Sequence, residues 1–253
     1  MTASVAEASP VIVENPGGKS PLLLLGDHAG RAIPKALGDM GLPAEEMDRH
    51  IAWDIGIAGL GLRLAALLDA CFIRQRYSRL VIDCNRDPAR PDAIPEISDR
   101  TPIPANLALP PAQRRWRRDL VFQPYHDRIA QELVGRGRQG RRSALVALHS
   151  FTPVMSGVAR QWRYGVLHNN DSDLSRAVLA RLRAEAGPAA VGDNEPYAMD
   201  GVDFTVPHHA GGHGLDYVEL EIRQDLIADD IGQRKAATML APVLLSAMAD
   251  VGG

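Results

Sequence analysis

The feature that most constrains the fold is a short apolar segment that ends abruptly in polar residues around His149. Valine and leucine occupy the centre of segment 143–148, and the sequence His-Ser-Phe-Thr-Pro follows it. A short apolar run of this kind predicts a buried β-strand with His149 at its carboxyl end. Open α/β sheets bind their ligands at that end. The alternative interpretation is a core histidine that bonds only to the backbone.

Similar apolar runs recur along the chain and predict an α/β fold. Four consecutive leucines precede Gly26-Asp27-His28, and the strand that contains them is predicted to end at His28. Further strands are predicted at 70–74, 79–84, 164–168, 189–191 and 216–223. Helices are predicted at 55–68, 111–135, 171–186 and from residue 229 or 230 to 248. The alternation of the two element types is typical of an α/β sheet protein.

Length and composition favour one domain that acts on a small molecule. The chain has 253 residues, of which 45% are hydrophobic, enough for one large core. We expect residues 1–19 to form a flexible N-terminal arm, in which only Val11-Ile12-Val13 is able to pair with a strand, and residues 20–253 to form a single α/β domain. The net charge of −3 gives no reason to expect nucleic acid or an anionic membrane.

The cysteines and the apolar runs predict a cytoplasmic location. Cys71 and Cys84 are the only two cysteines, and both lie in or beside apolar runs, which favours core positions over a redox role. The sequence shows no signal-peptide pattern, and no apolar run approaches the roughly 18 residues that a membrane span needs. A reducing compartment is therefore the simplest assignment.

Two polar stretches have no regular hydrophobic period. Residues 87–111 contain seven prolines and are predicted to form an irregular loop, long enough to act as a lid or wall of a site. The following helix begins with the arginine-rich segment 114–118, which we interpret as a solvated face.

Four residues at predicted strand ends or helix starts have side chains suited to metal chemistry: His28, Asp54, His149 and Glu221. Asp54 is predicted to cap the helix that begins at residue 55. Together the four match a catalytic zinc site, which has three nitrogen or oxygen ligands, one open position for water and a free carboxylate nearby. Glu221 is the predicted general base. Alternation along 216–223 places it on one face with Glu219 and Arg223.

The order of these residues resembles that of the zinc carboxypeptidases. In that family an Asn-Arg pair ends one strand, a ligand histidine in a His-Ser step ends another, and the catalytic glutamate lies in a Glu-x-Arg strand. The sequence is more similar still to the N-formylglutamate amidohydrolases, a branch of the same fold, over about residues 10–250. The segments that carry the resemblance are Asp27-His28-Ala29-Gly30 with Pro34, Asp54-Ile55-Gly56, the run from Tyr77 to Pro88, Pro124-Tyr125-His126, His149 to Pro153, Asn194 to Tyr197, and Glu221 to Leu226.

The resemblance implies a three-layer αβα fold with a mixed, largely parallel central sheet. It also implies a zinc-dependent hydrolase that cleaves a small N-acyl amino acid, such as N-formylglutamate, to formate and glutamate. The implied Zn²⁺ ligands are His28, Asp54 and His149. One departure is visible: carboxypeptidases place a glutamate ligand three residues after the first histidine, where this chain has Arg31. Asp54 is the predicted substitute for this glutamate ligand because of its position at a predicted helix start, and Asp27 is the alternative.

The resemblance further implies that Asn85 and Arg86 bind the substrate's α-carboxylate, because a guanidinium pairs with a carboxylate through two parallel bonds. A salt bridge from Arg86 to Asp83 or Asp87 is the structural alternative. Arg79 is the candidate for stabilising the developing oxyanion, and its alternative role is to anchor a loop.

Other basic residues are less constrained by the sequence. A second acid in the substrate needs another donor, and the candidates are Arg160, Arg163, Arg223 and the loop histidines. Among those, His213 is the candidate substrate contact, whereas His208 and His209 are interpreted as polar loop residues. His126 either hydrogen-bonds a ligand or substrate or has a structural role. His50 and His168 have no predicted partner.

Three functional hypotheses follow. The first is a zinc amidohydrolase of small N-acyl amino acids, and the second is a zinc carboxypeptidase or deacylase with another N-acyl or peptide substrate. The third is a homologue that binds an amino-acid-like ligand without turnover. The acyl group, the amino-acid side chain and the choice between monomer and homodimer stay open.

Overall fold

The strands are short apolar segments that alternate with helices along the chain. The computed structural model describes residues 7–169, 172–211 and 214–251. In chain order the strands are β1 (Val11–Glu14), β2 (Leu22–Gly26), β3 (Cys71–Gln75), β4 (Ile97–Ser98), β5 (Thr101–Pro102), β6 (Ala144–Phe151), β7 (Val154–Met155), β8 (Val158–Ala159), β9 (Tyr164–Leu167), β10 (Val191–Asp193) and β11 (Asp216–Arg223). The α-helices are α1 (Ile57–Leu68), α2 (Pro111–Arg117), α3 (Gln123–Arg138), α4 (Asp173–Ala186), α5 (Thr205–His209) and α6 (Asp230–Asp250).

Seven strands form one mixed sheet in the order β1-β3-β2-β6-β11-β9-β10. The four central strands β3, β2, β6 and β11 are parallel. At the edges, β1 is antiparallel to β3, and the parallel pair β9 and β10 is antiparallel to β11. Part of the segment that we expected to be a loose arm, Val11–Glu14, is therefore an edge strand. The parallel strands β2, β6 and β11 direct their carboxyl ends to one edge of the sheet.

Two hydrophobic cores lie on opposite faces of the sheet. Successive side chains of a strand point to opposite faces, so Leu22 and Leu24 enter one core and Leu23 and Leu25 the other. Helices α1, α4 and α6 cover the first face, and α3 with several loops covers the second. The predicted three-layer αβα fold is confirmed. Within the described part of the chain, no helix has both the length and the apolar content that a membrane crossing requires.

The strand predicted at 79–84 is wrong. The segment forms a buried turn, in which Val81 N–H donates to Ser78 O at 3.0 Å and Leu80 N–H donates to Ser78 Oγ at 3.1 Å. The Ser78 hydroxyl in turn donates to Ala52 O at 2.6 Å. Apolarity alone does not distinguish the two structures, because Leu80, Val81 and Ile82 are as buried as strand residues.

The predicted helix cap at Asp54 is also wrong. Helix α1 begins at Ile57, and its N-cap is Gly56 in the left-handed region with φ 87°. The Asp54 carboxylate instead accepts a hydrogen bond from Ser150 N–H at 3.2 Å, across the end of β6. Asp54 is thereby held at the edge of the sheet by a strand end, not by its own helix.

Gly56→Ala is expected to lower the free energy of unfolding by about 2–4 kcal/mol. The substitution puts a side chain at a left-handed φ, and its Cβ would lie 2.1 Å from Ile227 O. Urea denaturation measures the change. The control is Gly135→Ala inside α3, where a Cβ meets nothing within 4 Å and a gain of about 0.5–1 kcal/mol is expected. Equal effects of the two substitutions would contradict the argument.

The arginine-rich start of the predicted helix 111–135 is only partly solvated. Arg117 is fully buried, and its guanidinium donates to Asn106 Oδ1 at 2.6 Å, to Val81 O at 3.1 Å and to Ala105 O at 2.8 Å. A π-helical turn at Arg118–Phe122 follows Arg117 and separates α2 from α3. The arginine therefore anchors part of the proline-rich loop against the second core.

Candidate functional site

A cavity of about 310 Å³ lies at the edge of the sheet where β2, β6 and β11 meet. His28 follows β2, His149 lies in β6, and Glu219 and Glu221 lie in β11. The strand predicted to end at His149 continues to Phe151, so His149 is held within the sheet. The outer wall is formed by residues near Tyr197 and Asp203.

Three of the predicted residues converge at the bottom of this cavity. His28, Asp54 and His149 are buried, and each offers one atom within 4.8 Å of the other two. Asp54 Oδ2 lies 3.0 Å from His149 Nδ1 and 3.5 Å from His28 Nδ1. His28 Nδ1 is buried and makes no hydrogen bond. Two imidazole nitrogens and one carboxylate oxygen therefore face a common point, as the donors of a cation site do.

Local backbone bonds bring the three residues together. Asp54 N–H donates to His28 O at 2.9 Å, which joins the segment before α1 to the end of β2. Ser150 Oγ donates to Ile55 O at 3.0 Å and joins the same segment to β6. Because β2 and β6 are also hydrogen-bonded neighbours, the positions of all three candidate ligands follow from adjacent backbone segments.

Each histidine has a carboxylate at its outer nitrogen. Asp83 Oδ1 lies 2.6 Å from His28 Nε2 and also accepts a hydrogen bond from Asn85 N–H at 2.8 Å. Asp27 Oδ2 lies 3.4 Å from His149 Nε2, and Asp27 Oδ1 accepts the Tyr125 hydroxyl at 2.6 Å. Such partners orient ligand histidines. Asp27, the alternative ligand, thus lies behind His149 and outside the group of three.

The electrostatic field of the site favours positive charge. Burial lowers the pKa of His149, but the adjacent carboxylates of Asp27 and Asp54 outweigh that effect and raise the pKa well above its usual value. Burial and Arg79 lower the pKa of His28, whereas Asp83 and Asp54 raise it. The net effect is a pKa above the usual value. The pKa of Asp54 lies far below its usual range, because the two histidines outweigh its burial. The same electrostatic field would stabilise a bound divalent cation.

Two glutamates of β11 line the cavity from one face of the strand. Glu221 is paired in register with His149, and its Oε2 atom is buried without a hydrogen bond. Burial raises the pKa of Glu221 to about 7, against the effect of His149. Glu219 is also buried with an unbonded Oε2 atom, and burial, with the charges of Asp203 and Glu221, raises its pKa to about 8, again against His149.

Asn85 and Arg86 lie in the cavity wall, where both contact Asp203. Asn85 Nδ2 donates to Asp203 Oδ1 at 3.0 Å, and Arg86 Nη1 lies 3.2 Å from the same oxygen. Asn85 Oδ1 accepts hydrogen bonds from Phe204 N–H and Thr205 N–H, both at 2.9 Å. The acidic partner of Arg86 is thus Asp203, and neither Asp83 nor Asp87.

The guanidinium of Arg79 lies between two of the site's carboxylates. Its Nη2 donates to Asp83 Oδ2 at 2.7 Å, and its Nη1 donates to Asp54 Oδ1 at 3.3 Å. Arg79 therefore steadies Asp54 and Asp83. Each terminal nitrogen carries a second hydrogen, which leaves a donor for a group in the cavity.

The remaining histidines are dispersed. His126 is buried outside the cavity lining, where its Nε2 lies 3.0 Å from Cys84 O and its Nδ1 lies 3.0 Å from His209 Nε2. Burial lowers the pKa of His126 to about 4. His50 lines the cavity, and His168 bonds Asp193 at 2.9 Å. The predicted contact His213 lies outside the described residues.

The predicted lid is wrong. No described residue between 87 and 111 lines the cavity, since that loop packs against α2. The wall includes Tyr197, whose ring lies 4.7 Å from the Arg160 guanidinium. Arg163 and Arg223 are not among the lining residues.

Four residues of the site were given no functional role by the sequence: Asp83, Tyr197, Asp203 and Glu219. Asp83 and Tyr197 lie within segments that carry the family resemblance, and Glu219 shares a strand face with Glu221. A role for these three residues could have been inferred from those positions in the sequence. Nothing in the local sequence distinguishes Asp203, because its contacts with Asn85 and Arg86 span more than a hundred residues.

The chain matches a known protein family over most of its length. Residues 20–228 match the sequence model of the N-formylglutamate amidohydrolases. This span includes His28, Asp54, His149 and Glu221. No curated protein matches the chain significantly.

Two solved structures share the fold. A gene product from Agrobacterium tumefaciens is 39% identical, with a TM-score of 0.93 and 97% of each chain covered. An N-formylglutamate amidohydrolase from Ralstonia eutropha JMP134 is 19% identical, with a TM-score of 0.65, and the match covers 96% of this chain and 98% of that one. The second likeness supports the fold alone.

Proposed function

The chain belongs to the N-formylglutamate amidohydrolase family, and on that premise we propose that it is a zinc-dependent hydrolase of small N-acyl amino acids. The observation that carries the proposal is the convergence of His28, Asp54 and His149 within 4.8 Å, with Glu221 beside them. N-formylglutamate is the compound that the family's description specifies. That this chain's own substrate is a small N-acyl amino acid is part of the proposal.

The three residues fit a zinc ion by their chemistry. Two imidazoles and one carboxylate are a donor set that zinc accepts, and catalytic zinc sites use three protein ligands. His28 Nδ1 is buried and makes no hydrogen bond, and the nearest charged atom to it is Oδ2 of the candidate ligand Asp54 at 3.5 Å. Asp83 bonds the outer nitrogen of His28 at 2.6 Å, as second partners of ligand histidines do, and the Asp27 carboxylate lies 3.4 Å from the outer nitrogen of His149. A bound zinc ion would polarise the substrate carbonyl and acidify a water molecule.

The chain's own residues supply the proton transfer. Glu221 lies beside His149 and accepts the proton of the attacking water, and it then delivers a proton to the amine nitrogen as the amide bond breaks. Arg79 lines the cavity, and its remaining N–H groups are the proposed donors to the charge that develops on the carbonyl oxygen. Burial of Glu221 raises its pKa to about 7, which suits a group that both accepts and donates a proton near neutral pH.

Arg86 and Asn85 position the substrate through its α-carboxylate. Arg86 Nη1 already binds one carboxylate oxygen, that of Asp203, at 3.2 Å. The planar guanidinium has further donors for a second carboxylate. This anchor restricts the substrate to molecules with a free carboxylate near the amide.

Asp83→Asn is expected to weaken zinc binding by about 10–100-fold, since second partners of ligand histidines have effects of that size. The substitution keeps the shape of the side chain but removes the charge that Asp83 directs at His28 Nε2. Competition with a chromogenic chelator measures the zinc Kd. Asp87→Asn is the matched control, because Asp87 is exposed four positions further on. Equal affinities of the two variants would contradict the role of Asp83.

Zinc content and substrate range test the proposed function directly. The purified protein is expected to contain zinc and to hydrolyse N-formyl amino acids in preference to short peptides, because the cavity of about 310 Å³ suits a small molecule. Formyl, acetyl and succinyl derivatives assayed beside peptides separate the acyl groups. Cleavage of peptides alone would favour a carboxypeptidase. Ligand binding without any hydrolysis by the zinc-loaded protein would favour a non-catalytic homologue.

A further inference from the structure

We propose that Arg160 binds the carboxylate of the substrate's side chain and thereby selects an acidic N-acyl amino acid over its neutral analogue. The inference rests on the proposed function and assigns a residue beside the same cavity to substrate specificity. It agrees with the compound in the family's description, N-formylglutamate, which has two carboxylates. Arg86 is the proposed anchor for the α-carboxylate, so the second carboxylate needs another cation.

The Arg160 guanidinium contacts three residues of the cavity wall. It lies 4.7 Å from the centre of the Tyr197 ring and 5.7 Å from that of Phe151, and its Nη1 atom is 3.4 Å from Thr152 Oγ1. These three neighbours line the cavity, whereas Arg160 is not itself among the lining residues. Burial lowers the pKa of His50, a fourth lining residue, and the charge of Arg160 contributes in the same direction. Arg160 is therefore at the rim of the cavity.

The charge of Arg160 is not neutralised by a carboxylate of the described residues. Its Nη1 atom donates to two oxygens of Thr152, at 3.4 and 3.5 Å, and no acidic side chain in the described part of the chain forms an ion pair with it. Both distances exceed the usual range of about 2.7–3.2 Å, and a guanidinium has five N–H donors. By contrast, the arginines of the lining, Arg79 and Arg86, are each bonded to a carboxylate of the protein.

The backbone of Arg160 is held firmly, whereas the end of its side chain is held by weak contacts. Arg160 N–H donates to Pro153 O at 2.8 Å, which closes the hairpin of β7 and β8. Arg223 Nη1 donates to Arg160 O at 3.3 Å, which joins the hairpin to the end of β11. An aromatic ring contacts the face of a guanidinium and leaves the N–H groups in its plane available. Rotation about side-chain bonds, a common change on binding, brings these groups to a carboxylate in the cavity.

The other polar residues of the lining do not supply this cation. Ser150 Oγ donates to Ile55 O at 3.0 Å, and His50 is neutral at pH 7 because burial lowers its pKa. The acidic residues of the lining are Asp54, Asp200, Asp203, Glu219 and Glu221. Acidic side chains do not stabilise a substrate carboxylate, which pairs instead with a guanidinium through charge-assisted hydrogen bonds. Arg160 is the arginine at the rim that has no other carboxylate among the described residues.

The test compares N-formylglutamate with N-formylglutamine, which has nearly the same shape but no charge on its side chain. With the zinc-loaded protein, kcat/KM for the glutamate compound is expected to be about 10–100-fold higher, the effect of one charge-assisted hydrogen bond. Arg160→Met keeps an unbranched side chain without donors, and it is expected to reduce this ratio by about tenfold or more, through a loss with the glutamate compound. Arg160→Lys keeps the charge and is expected to give an intermediate ratio.

Arg163→Met is the matched control. The Arg163 guanidinium also lies over a tyrosine ring, that of Tyr164 at 5.9 Å, but neither residue lines the cavity. This variant is expected to keep the ratio of the unmodified protein. Circular dichroism verifies that the variants fold, and Arg160→Gln takes the place of Arg160→Met if the methionine variant does not.

A glutamate to glutamine ratio near one in the unmodified protein, or a ratio that Arg160→Met leaves unchanged, would overturn the inference and leave the proposed function intact. An equal loss with both compounds would also overturn it, because Arg160 would then act on a group that the two compounds share. Absence of hydrolysis with both compounds would overturn the proposed function instead. Calorimetric binding of the two compounds to the same variants then decides the inference by the same ratios.

Discussion

Glu221→Gln is expected to lower kcat/KM for N-formyl amino acids by about 10³-fold, within the range by which general acid–base groups contribute to catalysis. Glutamine has nearly the shape of glutamate, but it does not accept a proton from water. Glu221 lies in the centre of the sheet beside His149, and its Oε2 atom is free of hydrogen bonds. The substitution therefore removes the base without removing a protein contact. Hydrolysis rates and zinc content are measured on the same preparation.

The same zinc content in the Glu221→Gln variant and the unmodified protein distinguishes a lost base from a lost metal. Only the deprotonated carboxylate accepts a proton, so activity of the unmodified protein declines as the pH falls through the pKa of Glu221, which burial raises to about 7. A bound cation moves this decline to lower pH. The variant is expected to lack this decline. Retention of more than about a tenth of the activity would rule out Glu221 as the base.

Asp54→Asn is expected to weaken zinc binding by more than about 100-fold, a larger loss than outer partners of ligand histidines cause, and to abolish hydrolysis with it. Asp54 Oδ2 is the oxygen that lies closest to both histidine Nδ1 atoms, at 3.0 and 3.5 Å. An amide there keeps the volume of the side chain but loses the charge that holds a cation. The zinc Kd from chelator competition gives the measurement, and circular dichroism checks that the fold is retained.

Asp27→Asn is the matched variant for Asp54→Asn, since both residues are buried aspartates in contact with His149. Asp27 lies 3.4 Å from the outer Nε2 atom of His149, so its substitution is expected to cost only about 10–100-fold in zinc affinity. A larger loss with Asp27→Asn than with Asp54→Asn would reverse the assignment of the third ligand.

Much of the central sheet follows from short-range sequence patterns. The strands at Leu22–Gly26, Cys71–Gln75 and Asp216–Arg223 lie where apolar runs or alternation predict them. The same criterion failed at 79–84, where the Ser78 hydroxyl captures a backbone N–H and forms a turn. Polar side chains of this kind compete with regular structure through local bonds. A hydrophobicity pattern does not record such competition.

Different factors limited how much of the candidate site the sequence could predict. His28, His149 and Glu221 could be proposed because parallel strands collect their carboxyl ends at one edge of a sheet. Asp54 was placed at the correct edge for the wrong reason, since Ser150 N–H and not a helix cap holds its carboxylate. The expected lid at 87–111 failed because the buried Arg117 binds that loop to the second core.

The sequence by itself determined the α/β class and the family resemblance, and it predicted the four residues His28, Asp54, His149 and Glu221, which line one cavity. These depend on patterns within a few residues or on motifs in a set order. Only the tertiary structure decided that Asp27 lies behind His149, that Asp203 faces Arg86 and that Glu219 is buried without a donor. The physical reason is that a side chain's role depends on its distance to partners far away in the chain, and those distances are set when the strands pair and the loops pack over them.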